Sequence, residues 1–507
     1  MEKKPSEMTA RSVARNIVYG FSTWILPIGL SFVATPMIVR GLGEEDYGIY
    51  ALVIVFVGYS FNFSFGRAVT KYVSEYRSSG DTGKISGLIS AACLISLVVG
   101  LLSAAIIFLS SDWLAEHAFR ISSESRDKTV IALYITSLIV FVLMQNQIFS
   151  SILQGIHRFD IYSKVLNFNN FISLAGNLLL AINGFGLVGL FAWNLVVSSI
   201  SGLIFAVLAT RHLPEFKLTL KFGFDDVKII LYYSAGIIGA QVLSNIIILF
   251  ERSWITRQLG PESLTYYVVP LMLAFYIHGF VSSFIVVIFP LASELRDDRE
   301  RLLRLYTRAT KIVCLFVFFF ATSLIAEGDF FLSLWMGPDF AAKSSGFLVI
   351  QTVGFSFMSI QLVSWQMTDG LGHSSYNFYL LVLSLLVTIP LMIVFIQDHG
   401  AMGVALARMA GLAVVFLSIF YVERWFFSKI QKIFWLRLLS ILTIASILSA
   451  VVEIVILKNF ALTWLTFIFA TTAGGVFYGS AVWALNFISD DEKNLIKRML
   501  KIQSNGA

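Results

Sequence analysis

Arg408 stands in the run Gly403-Val404-Ala405-Leu406-Ala407-Arg408-Met409-Ala410-Gly411, with only apolar and small residues around it. A guanidinium in hydrocarbon costs roughly 2.5–3.5 kcal/mol on insertion scales, so it must face a cavity or a partner. The small residues permit close helix packing or a lumen. Two readings are open: Arg408 lines a substrate cavity, or it is a structural arginine neutralised by a helix-end carbonyl or a carboxylate. A second charged point is Glu251-Arg252, which ends the apolar run through Leu249-Phe250. Adjacent residues on a helix point about 100° apart, so this pair cannot simply satisfy itself. Glu251 is the candidate for a coupling proton or cation; its alternative is an ordinary helix-end charge near the outer interface.

Uncharged polar groups extend the set. Asn194 sits in the apolar run Phe191-Ala192-Trp193-Asn194-Leu195-Val196. Asn62 and Arg67 flank the end of one apolar run, where Arg67 can meet an anionic head group. Gln145-Asn146-Gln147, and Gln241 with Asn245, can offer hydrogen bonds to sugars, as can the asparagines at 167, 169, 170 and 177. Hydrogen bonds between helices are the competing explanation for each. Glu453 lies near Lys458 at the end of a run and is expected to snorkel towards the interface.

These residues need membrane helices to position them. The chain has 507 residues, 57% hydrophobic and only 13% charged, with a mean hydropathy of +0.81; soluble domains run near 25% charged. A spanning helix takes roughly 20 apolar residues. Such stretches occur at 16–39, 47–66, 86–109, 129–150, 164–183, 187–209, 229–250, 264–290, 309–327, 344–367, 377–396, 400–421, 436–457 and 462–484. The expectation is an all-α integral membrane protein with about 14 transmembrane helices. No small-residue cleavage site follows the basic stretch 1–15, so the first span is expected to be retained. Of the 37 Lys and Arg, 28 fall on the side shared by both termini and 8 on the other, with Arg408 inside a span. That bias places both termini in the cytoplasm of a cell-membrane protein. The net charge of +6 then reflects basic loops touching anionic membrane lipids, not a nucleic-acid surface.

Span-edge motifs recur. Arg40-Gly41-Leu42-Gly43-Glu44-Glu45 returns as Arg257-Gln258-Leu259-Gly260-Pro261-Glu262, at an offset of 217. Ser74-Glu75-Tyr76-Arg77 returns as Ser293-Glu294-Leu295-Arg296, and Gly186-Leu187-Val188-Gly189 as Gly400-Ala401-Met402-Gly403. Three echoes in one order indicate two like-oriented halves. The expected layout is a six-helix bundle over 1–215, its repeat over 216–430, and two further helices with a basic tail over 431–507. Asn194 is the repeat counterpart of Arg408, at an offset of 214.

Catalytic signatures are missing. Gly80-Asp81-Thr82-Gly83-Lys84-Ile85 imitates a phosphate loop, but its glycine spacing is short and Ile85 replaces the magnesium-binding hydroxyl. No HExxH, CxxC or GxSxG pattern and no cluster of intramembrane carboxylates is visible. Cys93 and Cys314, each within an apolar run, are expected to be small buried hydrophobes. The stretch 296–311, where basic residues alternate with Asp297, Asp298 and Glu300, is expected to be an amphipathic cytoplasmic connection. Neither an enzyme nor a cofactor is expected.

Leu42-Gly43-Glu44-Glu45-Asp46-Tyr47-Gly48-Ile49-Tyr50 resembles the first loop of polysaccharide exporters. Phe65-Gly66-Arg67 leading to Ser74-Glu75-Tyr76-Arg77 does so too, as do Leu153-Gln154-Gly155 with Arg158-Phe159, Phe250-Glu251-Arg252 before Leu259-Gly260, and Pro290 with Ser293 and Leu295. Together these span most of 15–425. They resemble the multidrug, oligosaccharidyl-lipid and polysaccharide exporter superfamily, and within it the Wzx-type flippases. The resemblance implies two pseudo-symmetric six-helix bundles in a V, alternating access without ATP hydrolysis, and a polyprenyl-pyrophosphate-linked oligosaccharide as substrate. It also implies a cationic lumen for the pyrophosphate, for which Arg408 and Arg252 are the fitting positions, with H+ or Na+ as a possible coupling ion. In related lipid II flippases an extra helix pair forms a groove for the lipid tail, although the arginine those proteins carry in the first span is missing here. The rivals are an ion-coupled multidrug antiporter, which would need acidic residues in the first six spans, and a membrane glycosyltransferase or polymerase, which would need a long outer loop.

Overall fold

The computed structural model describes residues 28–487 except 61–64, 215, 220–222 and 286. Asn62, the basic stretch 1–15 and the C-terminal tail beyond 487 lie outside the described residues. Every regular element among the described residues is helical. In hydrocarbon the backbone finds no water, so each segment must close its own hydrogen bonds.

The helices run α1 (Ile28–Leu42), α2 (Glu44–Ser60), α3 (Phe65–Ser78), α4 (Thr82–Trp113), α5 (Ser123–Gly155), α6 (Phe159–Ile182), α7 (Gly186–His212) and α8 (Phe224–Leu259). They continue with α9 (Pro261–Ile285), α10 (Ile288–Glu294), α11 (Arg299–Trp335), α12 (Pro338–Ile360), α13 (Leu362–Gly370), α14 (Ser374–Val415), α15 (Leu417–Tyr421), α16 (Lys432–Asn459) and α17 (Trp464–Ala484). Among the described residues, 10 helical segments are long and apolar enough to cross a membrane. Of the expected span 16–39, residues 16–27 lie outside the described residues and the rest falls in the shorter helix Ile28–Leu42; 47–66 and 229–250 are likewise not among these 10, and 377–396 and 400–421 merge into Ser374–Phe426. That merged segment breaks at Gly400, whose φ of 56° and ψ of −142° are not helical.

Two of the three recurring motifs repeat a backbone feature, a glycine with positive φ. Gly43 (φ 83°) closes α1 and its amide donates to Val39 O; Gly260 (φ 85°) closes α8 and its amide donates to Thr256 O. Gly186 (φ 63°) and Gly400 (φ 56°) adopt matching left-handed conformations before the next helix. An L side chain at such a position costs roughly 1–2 kcal/mol, which is why glycine returns at each.

The chain forms two compact units, 1–265 and 266–507. In the first, α5 lies along α7 and α4, α3 packs on α5, and α8 rests on α2, α3 and α4. Its core includes Val69, Ile89, Ile148, Ile152 and Phe205. α8 belongs to the first of these units. In the second unit α11 is central, flanked by α12, α16 and α17, with Val313, Val363, Leu442 and Val482 in its core. The stretch 296–311 is not a connection along its length: from Arg299 it is the beginning of α11, with Asp298 accepting the Arg301 amide at the N-cap. Cys314 is buried and Cys93 half-buried.

Candidate functional site

Within the first unit, Asn194 on α7 joins a polar cluster with α6 and α2. Its Oδ1 accepts from Ser173 Oγ (2.5 Å) and Asn177 Nδ2 (3.2 Å), and Asn177 Nδ2 also reaches Tyr50 Oη (3.4 Å). Asn177 and Asn194 are both buried. Asn194 Nδ2 and Asn177 Oδ1 have no partner among the described residues. Leucine at 194 would strand two donors, at about 1–3 kcal/mol for each buried group left unsatisfied. Asn194→Leu should therefore lower the thermal midpoint in detergent, whereas a midpoint equal to wild type would contradict this role for the cluster.

The other candidates in this unit are scattered. Asn146 on α5 donates to Ser198 O (2.8 Å) and packs against Gly202, an interhelical bond to α7. Arg252 Nη1 donates to Ala51 O (2.7 Å), tying α8 to α2. Glu251, beside it, is 1% exposed; Asn245 is buried and Gln241 half-buried on the same helix. Arg67, near the start of α3, is exposed and has no hydrogen-bond or ion-pair partner among the described residues. Gly66 before it lies so close to α5 that a Cβ would stand 2.2 Å from Ser151 Oγ, so close packing of α3 on α5 fixes where Arg67 emerges. Among the described residues, Asn194 is a candidate that the structure ties into a cluster of polar side chains.

In the second unit Arg408 is half-buried on α14, its guanidinium carbon 5.9 Å from the Phe355 ring centre on α12. At the basic end of α11, Arg301, Arg304 and Arg308 rim an otherwise apolar groove of about 470 Å³ against α9 and α10.

Three buried carboxylates were not anticipated. Glu423 is 1% exposed and accepts from Tyr306 Oη (2.9 Å), Trp435 Nε1 (2.6 Å) and the Gln431 amide (2.8 Å). Glu327 is 2% and Glu453 0% exposed. The expectation that Glu453 snorkels beside Lys458 fails: Lys458 is exposed and forms no ion pair among the described residues, while Glu453 packs against Gly474 of α17. The expected lack of clustered intramembrane carboxylates fails with it, because Ser323, one turn before Glu327 on α11, donates to Glu453 Oε1 (3.3 Å). Glu327 was placed at a span edge, but α11 continues to Trp335. The run Leu324-Ile325-Ala326-Glu327 was the available signal.

This arrangement is the fold of the multidrug and lipid-flippase transporters. The chain resembles an inward closed conformation of the lipid II flippase MurJ (TM-score 0.74, 16% identity, 95% of this chain and 100% of that one). It also resembles an inward-facing multidrug resistance MATE family transporter of the MOP superfamily (TM-score 0.70, 14% identity, 80% and 99%). These similarities and the apolar helices define a multi-pass membrane protein with this fold. Residues 13–296, more than half of the chain, match the model of the polysaccharide biosynthesis protein family, and the chain belongs to that family. A curated relative is the putative O-antigen transporter of Shigella flexneri, 20% identical over 409 residues, covering 78% of this chain and 94% of the relative.

Proposed function

We propose that this protein is a flippase that carries a polyprenyl-pyrophosphate-linked oligosaccharide from the cytoplasmic to the outer leaflet for surface polysaccharide biosynthesis. The observation that carries the reading is the match to the polysaccharide biosynthesis family together with an O-antigen transporter aligned over nearly its whole length. The MurJ fold supports it further. It covers 95% of this chain against 80% for the MATE fold, a difference about the size of 432–507, which contains α16 and α17.

A pyrophosphate and its sugars lose their hydration in hydrocarbon, and that loss is the barrier to unaided crossing. A cavity offering cations to the pyrophosphate and amides to the sugars lowers it. In this reading Arg408 and Arg252 are the candidates for the pyrophosphate, and Arg67 can meet an anionic head group. Asn194, Asn146, Gln241, Asn245 and Asn62 offer hydrogen bonds to sugar hydroxyls. Glu251, buried within α8, is the candidate for H+ or Na+ coupling. Two six-helix halves over 1–215 and 216–430 alternate access, 431–507 adds the last pair, and both termini are cytoplasmic in the cell membrane.

Deleting the gene, in a strain with no second flippase, should abolish surface polymer and leave the lipid-linked oligosaccharide accumulating in the membrane; plasmid-borne wild type should restore the polymer. Undiminished surface polymer in the deletion strain would overturn the proposal.

A further inference from the structure

The Glu327–Glu453 pair lies where α11 meets α16 and α17, towards the helix ends opposite the basic residues that begin α11 and α16. Each carboxyl is half satisfied. Thr471 Oγ1 of α17 donates to Glu327 Oε2 (2.7 Å). Ser449 Oγ of α16 donates to Glu453 Oε1 (2.8 Å), as does Ser323 Oγ of α11 (3.3 Å). Ser323 and Glu327 are one turn apart on α11, and Thr471 and Gly474 are one turn apart on α17. Both carboxyls are therefore gripped by the same two stretches of helix. A Cβ at Gly474 would stand 2.1 Å from Glu453 Oε1, so glycine is what lets α17 close over it.

The second oxygens are the informative ones. Glu327 Oε1 and Glu453 Oε2 are buried with no hydrogen-bond partner among the described residues, and so is Ser446 Oγ on the Glu453 face of α16. Two bare carboxylates side by side in hydrocarbon repel and lack hydration, so positive charge must accompany them. Among the described residues of the helices packed around them, no cation is seen to pair with them. Between Lys311 and Glu327, α11 carries only Cys314 as an ionisable group; between Arg437 and Glu453, α16 carries none; α17 carries only Tyr478, which donates to Leu315 O. Asp329 is exposed at the end of α11. On α12, Lys343 donates to Tyr266 Oη and Asp339 is exposed; on α13, Asp369 is held by Asn377.

We propose that Glu327 and Glu453 form a binding site for a single monovalent cation, a proton or a sodium ion, held between the unsatisfied carboxylate oxygens beneath the C-terminal helix pair. The site is independent of what the protein transports. It differs from the Glu251 position in lying wholly within the second unit.

A cation bound only by the folded state adds stability that is withdrawn as the cation is removed. The thermal midpoint of the purified full-length protein is measured from about pH 6 to about pH 9, in sodium, potassium and choline chloride at one ionic strength. The wild-type midpoint should fall as pH rises. If sodium but not potassium prevents the fall, the site takes sodium; if no salt prevents it, the site takes a proton. The E327Q/E453Q double variant, whose amides need no counter-charge, should lose the sodium and pH dependence. Equal profiles for wild type and the double variant would overturn the proposal. Should the double variant not fold, infrared difference spectra of wild type and the single variants E327Q and E453Q decide. A carboxyl band that responds to pH or sodium in wild type and weakens in each single variant supports the site. A response unchanged in both single variants, or missing from wild type, overturns it.

Discussion

Replacing Arg408 by alanine should slow transport of the lipid-linked oligosaccharide by about tenfold to a hundredfold, since a hydrogen bond to a charged group contributes about 1.5–3 kcal/mol. Arg408 is a cation of the second unit set within an apolar helix run, with its guanidinium carbon 5.9 Å from the Phe355 ring centre. A cation–π contact of this kind contributes about 0.5–1 kcal/mol of what alanine removes. Arg408→Lys should fall between, because an ammonium keeps the charge but loses the planar fork that grips phosphate oxygens in pairs. Transport rate and thermal midpoint measured on the same preparations separate the two readings of this residue. A large loss of transport at a near-constant midpoint assigns Arg408 to the substrate. A proportionate loss of both, or full transport in the alanine variant, assigns it to structure.

Glu423→Ala should be the most damaging single change to stability in the second unit. Its carboxylate gathers Tyr306 of α11, Trp435 of α16 and the Gln431 amide, all around a residue 1% exposed. Alanine leaves three donors without an acceptor, at about 1–3 kcal/mol each when buried, so the summed cost is on the order of 3 kcal/mol or more. For a unit of this size that corresponds to a fall of roughly 6–12 °C in the thermal midpoint. Glu423→Gln keeps one accepting oxygen for Tyr306 and Trp435 but turns a donor towards the Gln431 amide, so it should lose about half as much. A midpoint for Glu423→Ala within a degree or so of wild type would show that α16 is not held to α11 through this carboxylate.

Much of the helical plan was legible in the sequence because a bilayer leaves few options: long apolar runs must be helices, and their edges must carry the polar and flexible residues. Two of the three recurring motifs carry a glycine with positive φ at the same place, Gly43 with Gly260 and Gly186 with Gly400. What stayed hidden was pairing across distance. Nothing local in Phe250-Glu251-Arg252 points to the Ala51 carbonyl that Arg252 binds, and that bond helps hold α8 to the first unit. Glu327 and Glu453 stand far apart in the sequence, one at the end of the apolar run 309–327 and one near Lys458. Their meaning is collective, and it arises only when α16 and α17 bring them together against α11. Asn194 lay between these extremes: its polarity in an apolar run was visible, but Ser173 and Asn177 as its partners were not.

The most direct test of the flippase reading is transbilayer movement in proteoliposomes. A short polyprenyl-pyrophosphate oligosaccharide is placed in both leaflets, and an impermeant sugar-modifying reagent is added outside. With wild-type protein and no ATP, the inner-leaflet pool should become accessible, and at least about tenfold more slowly with Arg408→Ala. Wild-type liposomes that protect the inner pool as well as protein-free ones do would contradict the account.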